Sequence, residues 1–300
     1  MERRRMKHPN PLMLVRIAQG DAYGMGVEYI KPEHEPLRAQ ALRFEAYGQH
    51  PVHRLRPGQY TDDTQMSIAV SEVLLGAASA DHYLGDERPF AEAFVRCFKR
   101  DPRDGYARGF QSVLESVTDG SSLLRKIDPA SDKNGAAMRA VPIGVLDRTD
   151  EVIMVATRQA KITHDTPGGT LAATRVALMS HYALWEEGPF SELPAWLGKL
   201  GFGWDAWDGR PVEPPDVGMK TAAAVCTLCM EQPTLLKIAE TAIRWGGDVD
   251  TVLAIAWGIA SARMREPLPE FFDASLENGA YGRDFLRDLG SKLMGTFDGH

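Results

Sequence analysis

The chain has 300 residues, 44% of them hydrophobic, a net charge of −7 and a pI near 5.7. That is apolar material for one large core, so a single domain over residues 1–300 is expected. The acidic balance gives no general attraction for phosphate backbones and disfavours nucleic acid as a partner, and no stretch reaches the ~18 apolar residues of a membrane span.

Arg3, Arg4 and Arg5 open the chain, but the apolar stretch 12–18 behind them is short and broken by Arg16, which does not make a secretory signal. Prolines 32, 36 and 51 mark 31–56 as a loop, in which His50 and His53 lack carboxylate company and read as solvated. Met66, Ala69, Val70, Val73, Leu74 and Ala77 then recur at helical spacing. Loops follow at 101–109 and 120–135. Leu171, Thr174, Leu178, Tyr182 and Trp185 restore the helical period, and 201–218, rich in turn formers, suggests a lid, rim or partner surface in which Trp204 and Trp207 are packed anchors. Residues 221–230 read as a buried helix, which makes Cys226 and Cys229 core residues rather than a redox or zinc pair. Val252, Ile255, Ala256, Ile259, Ala260 and Arg263 form the last stripe. Sustained alternation of period two is missing, so helices dominate and a sheet of any size is not expected. Three cysteines, odd and sparse, fit a reducing compartment and a soluble cytoplasmic protein.

Two clusters carry the chemistry. Thr61-Asp62-Asp63-Thr64 immediately precedes a helical stripe, and Asp248-Val249-Asp250-Thr251 follows Gly246-Gly247 and precedes another. Each could supply an N-cap, but a cap needs one side chain, and adjacent carboxylates repel unless a cation or strong donors neutralise them. Together they offer oxygen ligands from Thr61, Asp62, Asp63, Asp248, Asp250 and Thr251, with no nitrogen or sulfur. Such hard donors suit Mg²⁺ or Mn²⁺, and four carboxylates balance two divalent ions better than one.

These clusters, with Gly20-Asp21-Ala22-Tyr23-Gly24 and Glu28 before them and Gly105-Tyr106-Ala107-Arg108-Gly109, Asn134-Gly135-Ala136-Ala137-Met138-Arg139 and Thr163-His164 between them, resemble the ADP-ribosylglycohydrolase family. The ordered set runs through most of the chain. The resemblance implies an all-α fold, a single compact orthogonal helical domain with a binuclear metal site at its centre, and two Mg²⁺ (or Mn²⁺) ions on the six ligands above. It implies that Gly105, Tyr106, Ala107, Arg108 and Gly109, together with Asn134, Gly135, Ala136, Ala137 and Met138, embrace the diphosphate and distal ribose of ADP-ribose. Small residues suit that role because backbone N–H groups can then approach phosphate oxygens closely. By the same likeness His164 contacts ADP-ribose, and Glu28 stands near the scissile bond to orient water or move a proton. Val249 stands where the family often has Thr, and Ala107 and Arg108 where it often has more glycine; these departures bear on substrate fit more than on reaction type.

The implied activity is metal-dependent hydrolysis of the bond between ADP-ribose and an acceptor, with an ADP-ribosylated protein as partner and arginine as the first reading of the acceptor. A small ADP-ribose conjugate, an ADP-ribosylated base, and a non-catalytic ADP-ribose-binding homologue are the alternatives. The spacing of Gly20, Gly24 and Gly26 is wrong for a dinucleotide fingerprint, and neither a P-loop nor G-x-S-x-G occurs.

Overall fold

The computed structural model describes residues 4–80, 86–203 and 206–299. Among them the regular structure is helical, and the β pairing is confined to two isolated bridges, Ala130 with His164 and Val212 with Gly247. The fold is all-α. No helix among the described residues is long and apolar enough to cross a membrane.

The centre is the helix Val249–Ala260, in which every residue is buried. A helix that is apolar all round must be covered on all sides, and this one is enclosed by others. Met13–Gly24 lies against it at backbone contact: a Cβ on Gly20 would stand 2.5 Å from the Leu253 carbonyl oxygen, and one on Gly24 would stand 2.4 Å from Asp250 Cα. Only glycine permits that approach, and it brings the C-terminal end of the first helix beside the N-terminal end of the second. Val217–Glu231, Leu235–Trp245, Asp62–Ala80 and Pro167–Trp185 complete the surround, the last started by Thr166, whose hydroxyl accepts the Gly169 N–H. The three apolar stripes of the sequence fall within Asp62–Ala80, Pro167–Trp185 and Val249–Ala260, the last ending just before Arg263.

Two expected loops contain helices. Within 31–56 the chain forms Glu35–Ala41, with Pro36 in the first turn, where the missing N–H costs nothing. Within 120–135 it forms Gly120–Lys126, fixed by a capping box in which Asp119 and Ser122 exchange hydrogen bonds. Cys226 and Cys229 are buried free thiols on Val217–Glu231. Trp207 anchors its loop by donating its indole N–H to the Arg210 carbonyl at 2.9 Å, while Trp204 lies outside the described residues.

Candidate metal centre

The first cluster is organised by an acid from another helix. Asp21, fully buried on Met13–Gly24, accepts the Thr61 N–H at 3.0 Å on both oxygens, and the Thr64 N–H at 3.1 Å and hydroxyl at 2.6 Å on Oδ2. The turn carrying Asp62 and Asp63 is thereby clamped. The Thr61 hydroxyl donates to Asp63 Oδ2 at 3.1 Å, whereas Asp63 Oδ1 is buried without a hydrogen-bond partner among the described residues.

The second cluster repeats this pattern. Asp248 makes no side-chain capping bond to its helix. Its Oδ2 instead accepts from the Tyr29 hydroxyl at 3.0 Å and the Asn134 amide at 3.1 Å, and its Oδ1 is buried without a hydrogen-bond partner among the described residues. The Gly246-Gly247 turn ahead of it is held by the 201–218 segment, since Asp248 donates its N–H to Val212 O at 2.9 Å and Val212 donates to Gly246 O at 3.2 Å. Gly247 has φ +79°, and a Cβ there would sit 2.3 Å from Val212 O. The long loop therefore acts as an inner clasp for the acidic turn.

Carboxylate oxygens of Asp21, Asp63 and Asp250 lie within 4.8 Å of one another, as do those of Glu28, Asp248 and Asp250. Asp250 is common to both sets. Desolvation first, and mutual repulsion next, hold the carboxyls of Glu28, Asp63 and Asp250 well above their ordinary range. Burial likewise pushes Asp21 to about 6 and Asp62 to about 8. Buried acids at this density need either protons or cations. Two carboxylates with one oxygen tied and the other bare, among donors that are all oxygen, fit hard divalent cations.

The acids line one end of a cavity of about 660 Å³. Of the residues singled out in the sequence, Glu28, Asp62, Asp63, Gly105, Ala107, Gly109, Asn134, Gly135, Met138, His164, Asp248, Asp250 and Thr251 reach its wall. Asp62 does so beside Gly105, outside both carboxylate sets; Gly105 has φ +116°, and a Cβ there would lie 2.4 Å from Asp62 Oδ1. Gln65 pins the 101–109 loop, donating to Asp101 O at 2.6 Å and accepting the Tyr106 hydroxyl at 2.6 Å. The structure does not bring Thr61, Tyr106, Arg108, Ala136 or Ala137 to the cavity wall: Thr61, Tyr106, Ala136 and Ala137 are buried behind it, and Arg108 is exposed at a helix start. Asn134 spends its amide on Asp248 and on Thr221 at 3.2 Å, so it supports the acidic turn.

One expectation is corrected. His50 is buried, not solvated: its Nδ1 accepts the N–H groups of Val52 and His53, which puts the proton on Nε2, and that N–H donates to Glu28 O at 2.9 Å. His53 does have carboxylate company, with Nε2 3.9 Å from Glu28 Oε2. The 50–53 loop thus braces the segment that carries Glu28. Sequence reasoning also passed over Tyr29, and gave no role to Asp21 or Arg139, although both lie in the motifs that carry the resemblance. The available signal for Asp21 was a lone acid in an otherwise apolar helical run, a residue type almost never fully buried without a partner.

The ADP-ribosylglycohydrolase family model matches residues 13–300. Among curated proteins, the ADP-ribosyl-[dinitrogen reductase] glycohydrolase of Rhodospirillum rubrum is 27% identical over 56% of this chain and 55% of its own length. ADP-ribosylhydrolase ARH3 of Xenopus tropicalis is 31% identical over 42% of this chain and 37% of its own. ADP-ribosylarginine hydrolase Tri1 of Serratia proteamaculans is 24% identical over 57% and 46%. The chain thus spans about half, or less, of the length of these relatives. A solved structure titled "ADP-ribosylglycohydrolase-related protein complex" has the same fold, with a TM-score of 0.73 and 24% identity over 96% of this chain and 98% of that one.

Proposed function

The chain belongs to the ADP-ribosylglycohydrolase family, and from that premise we propose that it hydrolyses the glycosidic bond between ADP-ribose and an acceptor, releasing ADP-ribose. The observation that carries the reading is the pair of half-satisfied carboxylates, Asp63 and Asp248, whose bare oxygens stand in one buried acidic cluster at the end of a ligand-sized cavity. Thr61, Asp62, Asp63, Asp248, Asp250 and Thr251 would hold two Mg²⁺ or Mn²⁺ ions, with Asp21 fixing the first turn and Tyr29 and Asn134 the second. When bound, such a pair supplies Lewis acidity, which lowers the pKa of water and fixes the hydroxyls of the attached ribose.

The protein's own groups do the rest. Glu28 is at the cavity wall, its side chain 17% exposed and its backbone braced by His50, which suits it to orient the attacking water and take its proton. The bond from the anomeric carbon to the acceptor breaks as the bond to the water oxygen forms, and the acceptor leaves with the proton that Glu28 took from the water. Gly105, Ala107, Gly109, Gly135 and Met138 shape the wall along which the remainder of ADP-ribose lies.

We take the acceptor to be a side chain of an ADP-ribosylated protein, arginine first, supported by the activities that the names of the glycohydrolase and Tri1 relatives state. The chain acts as one domain, and its three buried free thiols suit a reducing cytoplasm. The test is release of free ADP-ribose from arginine-, serine- and base-linked substrates, with and without a chelator. Chelator-sensitive release from the arginine conjugate supports the reading. Release from the base or serine conjugate alone would replace the acceptor, and binding of ADP-ribose without release from any conjugate would replace the enzyme with a binding protein.

A further inference from the structure

Arg139, Thr163 and His164 form a buried chain that ends in the cavity. The Arg139 guanidinium, 1% exposed, donates Nε–H to Gln159 Oε1 at 2.5 Å and Nη2–H groups to Gln159 O at 3.0 Å and Thr163 Oγ1 at 2.8 Å. Its position is further fixed by the Phe94 ring, 4.4 Å beneath it. Thr163 Oγ1 lies 2.6 Å from His164 Nδ1. At the far side of the imidazole, Nε2 is buried with no partner among the described residues, and the ring lines the cavity next to Gly135, where an added Cβ would come 3.0 Å from Cε1 and 3.4 Å from Nε2.

The proton count follows from what each group can do. Arginine only donates, so the threonine oxygen must accept from it. The hydroxyl then has one hydrogen left, and the imidazole nitrogen at 2.6 Å is its remaining neighbour. Were Nδ1 protonated, two donors would converge on the same oxygen and the hydroxyl hydrogen would be buried unpaired, at the cost that burial imposes on any orphaned donor. The satisfied arrangement places the hydroxyl hydrogen on Nδ1 and leaves the ring hydrogen on Nε2. Burial, aided by Arg139 and Lys133, also lowers the imidazole pKa to about 3, which keeps the ring uncharged in ordinary buffers.

We infer that Arg139 and Thr163 are positioning residues that lock His164 as its Nε2–H tautomer, so that it offers the cavity a neutral donor whose partner is a hydrogen-free phosphate oxygen. A hydroxyl could meet this donor only with its lone pairs, and a cation not at all. The phosphate assignment follows from the charge around it: Lys133, whose charge acts on the His164 ring, and Lys126 line the same cavity, with Asp128 between them in the chain. This part rests on the ADP-ribosyl hydrolase reading, whereas the tautomer lock stands on the hydrogen-bond chain alone.

The experiment is long-range ¹H–¹⁵N correlation on ¹⁵N-histidine-labelled full-length protein, with binding of ADP-ribose and of adenosine measured by calorimetry. The wild type should show His164 as Nε2–H from pH 5 to 8. Thr163→Val should lose that fixed tautomer and weaken ADP-ribose about tenfold, the size of one hydrogen bond to a charged oxygen, with adenosine little affected. Thr163→Ser should restore both. An Nδ1–H signal in the wild type, or an unchanged tautomer in Thr163→Val, would overturn the lock. Equal weakening of ADP-ribose and adenosine would overturn the phosphate assignment. Failure of the wild type to bind ADP-ribose would remove that assignment together with the hydrolase reading, and the spectra would still decide the tautomer.

Discussion

Replacing Gly24 by alanine tests whether the two helices that carry the acids meet as described. The new Cβ would lie 2.4 Å from Asp250 Cα, 2.6 Å from its nitrogen and 2.7 Å from the Val249 carbonyl carbon, all backbone atoms with no rotamer to yield. Ordinary contact begins at 3.4 Å, so the helices Met13–Gly24 and Val249–Ala260 must part by about 1 Å at the residue shared by both carboxylate sets. Overpacking of this kind costs about 1–3 kcal/mol, and at roughly 2–4 °C per kcal/mol for a chain of this order Tm should fall by about 2–12 °C. A displacement of about 1 Å at reacting groups costs on the order of a hundredfold in rate, so ADP-ribose release should fall far more than stability. Calorimetry with and without Mn²⁺ and a release assay read both effects. The control is Gly76→Ala, where the added Cβ has nothing within 4 Å and helix propensity favours alanine by about 1 kcal/mol. A Gly24→Ala protein with wild-type Tm and full rate in saturating Mn²⁺ would refute the packing argument.

Three further outcomes are expected. Asp250→Asn should reduce Mn²⁺ affinity more than Asp62→Asn, since Asp250 belongs to both carboxylate sets and Asp62 to neither; equal losses in titration calorimetry would count against that ranking. Tyr29→Phe removes one of two donors to Asp248 Oδ2 and should weaken Mn²⁺ about tenfold, the lower end for loss of a group that orients a ligand, whereas unchanged affinity would make the contact incidental. In chelator, stability should decline as pH rises. The folded-state pKa values of Asp21, about 6, and Asp62, about 8, lie above their ordinary value, so their stabilising contribution is complete below about pH 4 and is lost as pH climbs through 6 and 8, at about 1.4 kcal/mol per pH unit for each such carboxyl. Mn²⁺ at pH 8 should reverse the loss, and a chelated Tm that is flat or rising between pH 5 and 8 would contradict the sign.

Much of the architecture is written locally, and the site is not. The stripes from Met66, Leu171 and Val252 mark helices because each must bury a face, and that requirement is legible at a spacing of three and four residues. Glu35–Ala41 and Gly120–Lys126 are hidden by the residues that start them. Pro36 and Ser122 look like loop punctuation until their place in a first turn is known. The two acidic turns are conspicuous as sequence, but their meeting depends on Gly20 and Gly24 admitting another backbone, which nothing in their neighbours announces. Asp21 shows the same limit: its partners Thr61 and Thr64 are about forty residues away. His50 looks solvated in a proline-rich loop, and only the folded chain sets its ring against the carbonyl of Glu28.

Anomalous scattering at the manganese edge, from crystals grown with Mn²⁺, addresses the metal centre directly. Two peaks are expected, both within bonding distance of Asp250, with Asp63 Oδ1 on one and Asp248 Oδ1 on the other. No peak among these carboxylates, or acids neutralised by protons and arginines in the presence of the ion, would contradict a metal-dependent site here.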